Sequence, residues 1–244
     1  MARVFVTGSP DGLGHLAAKA LIAQGHRVVL HARNAQRGDD ALRRVPEADA
    51  VITGDLGSIK ETIRVAEELN LLPPFDAVIH NAGVYQVPPP QIFAVNTLAP
   101  YILTSLMHKP RRLIYLTSGM YIQGRFKPED FQGTGRTTYS DSKLHMMILC
   151  RAVARKWTDV YANAVDPGWV PTKMGGRSAP DDLQKGYQTQ VWLAASDDEK
   201  VKVSGRYFFH QKERPYNAEA DDVALQEKFL KLCGRLTGVD LEGG

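Results

Sequence analysis

Apolar positions along the chain fall into two alternating rhythms. One consists of short apolar runs, most of them ending in glycine or aspartate. "ARVFVTG" (2–8), "RVVLHA" (27–32), "ADAVITGD" (48–55), "DAVIHNAG" (76–83), "RRLIYLTSG" (111–119), "VYANAVDPG" (160–168) and "GRYFF" (205–209) are of this kind. Their β-branched content, their length and the breakers that bound them predict seven strands. Between them apolar residues recur at helical spacing. Leu13, Leu16, Ala17, Ala20 and Leu21 form one such stripe, with Gly25 as its stop signal. Residues 58–70 form a second helix, for which Ser58 and Glu61 predict a capping box. Residues 139–157 form a third, apolar nearly all round at Met146, Met147, Ile148, Leu149 and Cys150. The strands do not alternate in polarity, as expected for a sheet covered on both faces. Strand–helix–strand units of about thirty residues cross over right-handed and parallel. The prediction is an α/β, doubly wound, mostly parallel seven-stranded sheet with helices on both faces, with ligand bound at the carboxyl ends of its strands.

Composition narrows the class. The chain has 244 residues, 43% of them apolar, which suffices for one large α/β domain over residues 1–244. The net charge is +3 and its densest basic spots, Arg43-Arg44 and Lys109 with Arg111-Arg112, are short. A nucleic-acid partner is therefore not expected. Cys150 and Cys233 make no disulfide framework, which fits a reducing cytoplasm. No run reaches the roughly 20 apolar residues of a membrane span. A strand begins at Ala2, so no leader is expected. "LPPF" and "VPPP" read as rigid loops within one domain, and no metal site is indicated.

Candidate chemistry sits at the strand ends. After the first strand comes "TGSPDGLG", with Gly8, Gly12 and Gly14 spaced G-x-x-x-G-x-G. Glycines at a strand–helix switch let backbone N–H groups approach a pyrophosphate at the helix N-terminus; the alternative is a tight turn without a ligand. Where NAD-binding sites carry an acid at the end of the second strand, this chain has Ala32 followed by Arg33. That favours the 2′-phosphate of NADP(H), with NAD(H) still possible and a solvent-facing Arg33 as the alternative. Asp11, in the glycine loop, argues the other way by repelling a phosphate. Further along, "YSDSK" places Tyr139 and Lys143 four residues apart, on one helix face. Held near a phenol, an ammonium favours the phenolate and lowers the phenol's pKa. A pair facing water is the bland alternative.

Taken in order, these segments resemble the short-chain dehydrogenase/reductase family, which has a single-domain Rossmann fold. Most like them is its branch of retinol dehydrogenases and related carbonyl reductases. The resemblance implies a cofactor loop containing Gly8, Ser9, Gly12, Leu13 and Gly14. "GDL", with Asp55 and Leu56, matches the adenine-contacting segment; capping of the next helix by Asp55 is an equal reading. "HNAG" supplies Asn81, Ala82 and Gly83, with Asn81 expected to bond neighbouring backbone. Asn96, in "AVNTLAPYIL", matches the family's helix asparagine, which holds a proton-relaying water; an ordinary helix cap is the alternative. Ser118 matches the catalytic serine, and Tyr139 and Lys143 the catalytic pair. "DPGWVPT", with Pro167, Gly168, Val170 and Thr172, matches the segment that closes over the nicotinamide.

The implied function is hydride transfer between NADP(H) and the carbonyl or alcohol carbon of a small molecule. Tyr139 is the general acid/base and Lys143 the ribose-binding cation, and both are expected to contact the cofactor. Substrate loops are expected at about 119–137 and 169–190. Tyr85, Val87, Met120, Tyr121, Trp169 and Met174 suggest a lipophilic pocket. The chain departs from the family in a shortened helix before Pro110 and in a longer Ser118–Tyr139 interval. "QGRFKPEDFQGTGR" in that interval reads as a flap outside the core. A nucleotide-binding regulatory protein of the same fold, without catalysis, and a sugar-nucleotide epimerase are the alternatives. The apolar circumference of the 139–157 helix predicts a partner subunit over one of its faces, hence a homo-oligomer.

Overall fold

A computed structural model describes residues 1–132 and 136–242. The first parallel unit is β1 (Arg3–Val6), α1 (Gly12–Ala23) and β2 (Arg27–Ala32). Then come α2 (Ala35–Arg44), β3 (Ala50–Thr53), α3 (Ile59–Asn70) and β4 (Ala77–His80). α4 (Pro89–Phe93) runs through a π-helical turn, Ala94–Leu98, into α5 (Ala99–Leu106). β5 (Arg112–Leu116) leads through two 3₁₀ turns, Gly119–Gln123 and Pro128–Gln132, to α6 (Tyr139–Lys156). β6 (Tyr161–Asp166), α7 (Leu183–Ala195), β7 (Tyr207–Phe209), β8 (Lys212–Arg214) and α8 (Val223–Thr237) complete the order.

The sheet runs β3-β2-β1-β4-β5-β6-β7-β8, and every pairing from β3 to β7 is parallel. Side chains alternate across it as the strand period requires. Val4 and Val6 of β1 join Val28 and Leu30 of β2 in a core under α1 and α7. Phe5 and Val29 point the other way, into a core with Val65 and Leu69 of α3, Ile102 of α5 and Ile148 of α6. Each fully buried Val, Leu, Ile or Phe contributes about 1.5–3 kcal/mol of transfer free energy. The switch point falls between β1 and β4, from which the chain leaves the sheet to opposite faces.

The sheet has eight strands rather than seven. β8 pairs antiparallel with β7 through a two-residue turn, His210–Gln211, with Phe209 opposite Lys212. Both turn residues have positive φ, 49° and 60°, as a type I′ hairpin requires. "KER" has no apolar position and forms an exposed, charged edge, so periodicity gave no sign of it.

Three further expectations change. Ser58 caps α3 by accepting from Glu61 N (3.3 Å), but the Glu61 carboxylate reaches back to Asp55 N (2.9 Å) rather than to Ser58, so the capping box is half formed. The segment expected as a loop at 169–190 becomes α7 after Asp182, which caps that helix by accepting from Gln184 N and Lys185 N. The segment read as a flap is partly core: Phe131 is 3% exposed, and with Phe93, Phe126 and Phe229 it surrounds His145 of α6. Residues 133–135 of that flap lie outside the described residues. α6 is thus covered by α8 and by the 119–132 segment of its own chain, and its apolar circumference does not call for a second subunit. No helix among the described residues is long and apolar enough to cross a membrane. α5 ends at Leu106, short of Pro110 as expected.

Three histidines are buried in this framework. Burial lowers His31 to about 4, His80 to about 3 and His145 to about 4. A folded-state value below the unfolded value near 6.5 means that the unfolded chain binds protons first as the pH falls. Stability is therefore complete above about pH 6.5 and drains away down to about pH 4–3. Each of the three steepens the loss by up to about 1.4 kcal/mol per pH unit in that window. Urea midpoints are expected to fall steadily from pH 7 to pH 5. Equal midpoints at the two values would contradict this reading.

Candidate active site

A cleft of about 570 Å³ opens at the carboxyl ends of β1, β2, β4, β5 and β6. One end is built by the glycine loop. Gly8 (φ 65°) and Gly12 (φ 57°) adopt left-handed conformations that a side chain would strain. Gly14 is conventional in φ but has no room: a Cβ there would stand 2.4 Å from Asn81 Nδ2 and 2.6 Å from Gly8 O. Asn81 Nδ2 donates to Thr7 O (2.9 Å) and Gly8 O (3.2 Å), which fixes the loop and fits the structural role expected for it. Asp11 is the N-cap of α1 by position, yet its side chain makes no capping bond, so the first-turn N–H groups of α1 remain open to an anion.

Asp11 turns instead to three cations, Arg37, Arg44 and Lys173. Burial opposes its charge, but hydrogen bonds from Arg37, Lys173 and Arg44 outweigh this and hold the carboxyl well below the usual range. The repulsion expected from Asp11 is thereby neutralised. Arg33 is exposed and lines the same end of the cleft with Arg37, so cations exceed acids there. Sequence reading missed Arg37, in the first turn of α2, and His31. The His31 ring accepts from Gly8 N at Nδ1 (3.2 Å) and lies 2.9 Å from Gly54 O at Nε2, bracing the loop from β2.

Further along the cleft are Leu13, Asp55, Leu56, Ala82, Gly83, Pro167 and Thr172. Asp55 accepts from Gly57 N (2.9 Å), so its carboxylate closes a turn rather than capping α3, whose cap is Ser58. Thr172 lies over the glycine loop, and a Cβ at Gly12 would meet it at 3.8 Å. Four of the predicted cofactor contacts, Ser9, Gly14, Gly168 and Val170, do not line the cleft, nor do Ser118 and Asn96. Ser9 is fully buried, with its hydroxyl committed to the His31 backbone (2.8 Å and 3.3 Å). Val170 is 4% exposed and faces Gly186 of α7. Gly168 (φ 81°) turns the chain beside Asp181.

At the other end stand the residues predicted to be catalytic. α6 starts at Tyr139 because Thr138 and Asp141 form a complete capping box. Lys143 falls one turn later, 5% exposed, and its ammonium sits 5.3 Å from the Tyr139 ring centroid. It donates to Leu116 O (2.9 Å). Burial brings the ammonium down to about 8, against an upward pull from Asp166. Ser118, at the end of β5, caps the following 3₁₀ turn by accepting from Met120 N (3.3 Å). Asn96 does not cap a helix. Buried in the π-helical turn, it bonds Val84 N (2.8 Å), Val84 O (3.0 Å) and Ser142 Oγ (3.0 Å). A Cβ at Gly83 would be 3.5 Å from both Asn96 Oδ1 and Lys143 Nζ, so Gly83 keeps a narrow space open between them. Such π turns recur at functional sites.

The expected lowering of the phenol is not found in the protein alone. Burial pushes Tyr139 up to about 12, with further upward pulls from Asp166 and Tyr85 and a downward pull from Ser118. Desolvation of a phenolate outweighs an ammonium that lies over the ring and is already bonded to a carbonyl. Tyr139 is therefore a phenol at neutral pH, a proton donor. Tyr85 packs on it edge-on at 4.8 Å. Exposed Met120, Trp169 and Met174 stand on the loops after β5 and β6. Tyr121 does not: it is buried, T-stacked on Tyr207, with its hydroxyl accepting from Asn217 N.

The sequence model of the family described as short chain dehydrogenase matches residues 2–183. An uncharacterized oxidoreductase of Emericella nidulans is 44% identical over the whole of both chains. Retinol dehydrogenase 14 of Homo sapiens is 29% identical over 97% of this chain and 86% of its own. Among solved structures, an NADPH-bound carbonyl reductase from chicken fatty liver superposes with a TM-score of 0.69 at 18% identity, covering 88% of this chain and 99% of that one.

Proposed function

The chain belongs to the short chain dehydrogenase family, near its retinol dehydrogenase branch, and from that premise we propose that it is an NADP(H)-dependent reductase of small lipophilic carbonyl compounds. The observation that carries the proposal is the placing of Tyr139 and a buried Lys143 at one end of a cleft, with Ser118 hydrogen-bonded to Tyr139, while the other end is a glycine loop beside Arg33 and Arg37. The residues present fit the cofactor: open N–H groups at α1, glycines at Gly8, Gly12 and Gly14 where a Cβ is strained or excluded, and Arg33 with Arg37 for a 2′-phosphate. When bound, NADPH supplies the hydride. Ser118 holds the substrate oxygen, and Tyr139 donates its phenolic proton to that oxygen as negative charge develops on it. Lys143 holds a ribose hydroxyl and, as a cation over the ring, steadies the phenolate left behind. Asn96 and Gly83 border the space through which a water returns a proton toward Lys143. Tyr85, Met120, Trp169 and Met174 offer an apolar surface to the rest of the substrate.

A regulatory protein that binds nucleotide without chemistry is the weaker reading, because Ser118, Tyr139 and Lys143 lie together. A panel of aliphatic and aromatic aldehydes and ketones, followed by NADPH and NADH absorbance, tests the proposal. Binding of NADPH with no turnover across the panel would favour the regulatory reading. For cofactor choice, Arg33→Ala is expected to raise the NADPH dissociation constant by about tenfold and the NADH constant by less than about twofold, since loss of one charge-assisted contact is worth about 1.5–3 kcal/mol. Equal effects would remove Arg33 from the 2′-phosphate site.

A further inference from the structure

One buried charge near the catalytic pair has no part in the mechanism above. Asp166 ends β6 and is 8% exposed. Its Oδ1 accepts from Gly168 N (2.9 Å) and its Oδ2 from the Tyr207 hydroxyl (3.0 Å). A Cβ at Gly119 would stand 3.1 Å from Oδ2, so the residue directly after Ser118 is one whose lack of a side chain lets the carboxylate close in. No cation forms an ion pair with it among the described residues. The groups that face this region are Tyr139 and Lys143 from α6, Tyr121 from the 3₁₀ turn after β5, Tyr207 from β7 and Tyr85 against Tyr139. Arg214 of β8 acts on Tyr207 from the far side. Lys143 donates to Leu116 O (2.9 Å), and Leu116 of β5 pairs with Val165 of β6, the residue before Asp166, so the carboxylate ends the strand beside the one that holds the ammonium.

We propose that Asp166, braced by Tyr207, is a positioning residue: a fixed counter-charge that keeps Lys143 cationic and Tyr139 in its proton-donating form until a carbonyl arrives. The inference rests on the role given to Tyr139. Lys143 is an ammonium buried beside a single carbonyl acceptor, and burying a charge without compensation is costly. A carboxylate on the neighbouring strand compensates it. Because Asp166 is held by Tyr207 and Gly168, it stands off and leaves the ammonium free for the ribose. The same charge opposes a phenolate at Tyr139. It therefore favours reduction, where tyrosine is the acid, over alcohol oxidation, where it must be the base.

Asp166→Asn keeps the shape and removes the charge. The pH limb of alcohol oxidation, read as kcat/KM, is expected to move down by at least about 0.5 pH unit. Oxidation at pH 7 then rises at least about threefold. Tyr207→Phe removes the brace but keeps the charge, so its limb is expected not to move down. The tyrosinate absorbance titration of each protein, less that of its Tyr139→Phe counterpart, should show the same shift without any turnover. Asp166→Ser, smaller and also neutral, gives the same reading should the amide not be accommodated. A neutral variant that melts and binds NADPH like the wild type, yet keeps the wild-type limb and titration, would overturn the inference. If Tyr139→Phe retained turnover, the proposed mechanism would fall, while the absorbance titration would still report whether Asp166 acts on that phenol.

Discussion

Tyr139→Phe is expected to lower the rate of carbonyl reduction by about 10²–10⁴-fold, the range typical of a lost general acid. The substitution keeps the ring, and with it the contacts that place α6 in the site. The edge-on packing against Tyr85 and the ammonium over the ring face both survive. The lost atom is the oxygen of the hydroxyl proposed to protonate the substrate. NADPH binding is expected to persist, because the glycine loop, Arg33 and Arg37 lie at the opposite end of the cleft. Steady-state rates with a carbonyl substrate, paired with NADPH fluorescence titration, separate the two effects. A variant that turns over at the wild-type rate would remove Tyr139 from the proton-donor role. A variant that lost NADPH as well would mean that the phenol is part of the cofactor site.

Gly14→Ala is expected to weaken NADPH binding by at least about tenfold and to destabilise the fold by about 1–3 kcal/mol, the usual cost of forcing extra volume into packed structure. In a helix interior, glycine to alanine would otherwise stabilise by about 0.8–1.0 kcal/mol through propensity. The sign reverses here because of space. The new Cβ would lie 2.4 Å from Asn81 Nδ2 and 2.6 Å from Gly8 O, so either Asn81 leaves its bonds to Thr7 O and Gly8 O or α1 shifts away from the loop. Both displace the N–H groups proposed to hold the pyrophosphate. Gly25→Ala is a useful contrast. It has open space around its Cβ but a φ of 80°, so its cost is backbone strain far from the cofactor. Thermal melting with and without NADPH distinguishes the two. If the Gly14 variant gained as much stability from NADPH as the wild type does, the steric account of this loop would be wrong.

The sequence by itself determined the seven parallel strands and their covering on both faces, because runs such as "VFV" and "VVL" bury apolar atoms wherever they pair. It also determined the glycine turn and the Tyr139–Lys143 pair, since helix pitch places i and i+4 together in any context. Tertiary structure decided the rest. β8 has no apolar pattern and exists because a two-residue turn aims it at an open sheet edge. Phe126 and Phe131 looked like flap residues until α6 and α8 gave them a core to fill. The phenol moved opposite to the expected direction because burial is a property of the assembled site, and it outweighs a neighbouring charge that spacing alone could reveal. Arg37 and Asp166 were invisible for the same reason: only the folded sheet brings a helix turn beside Asp11, and a strand end behind the serine.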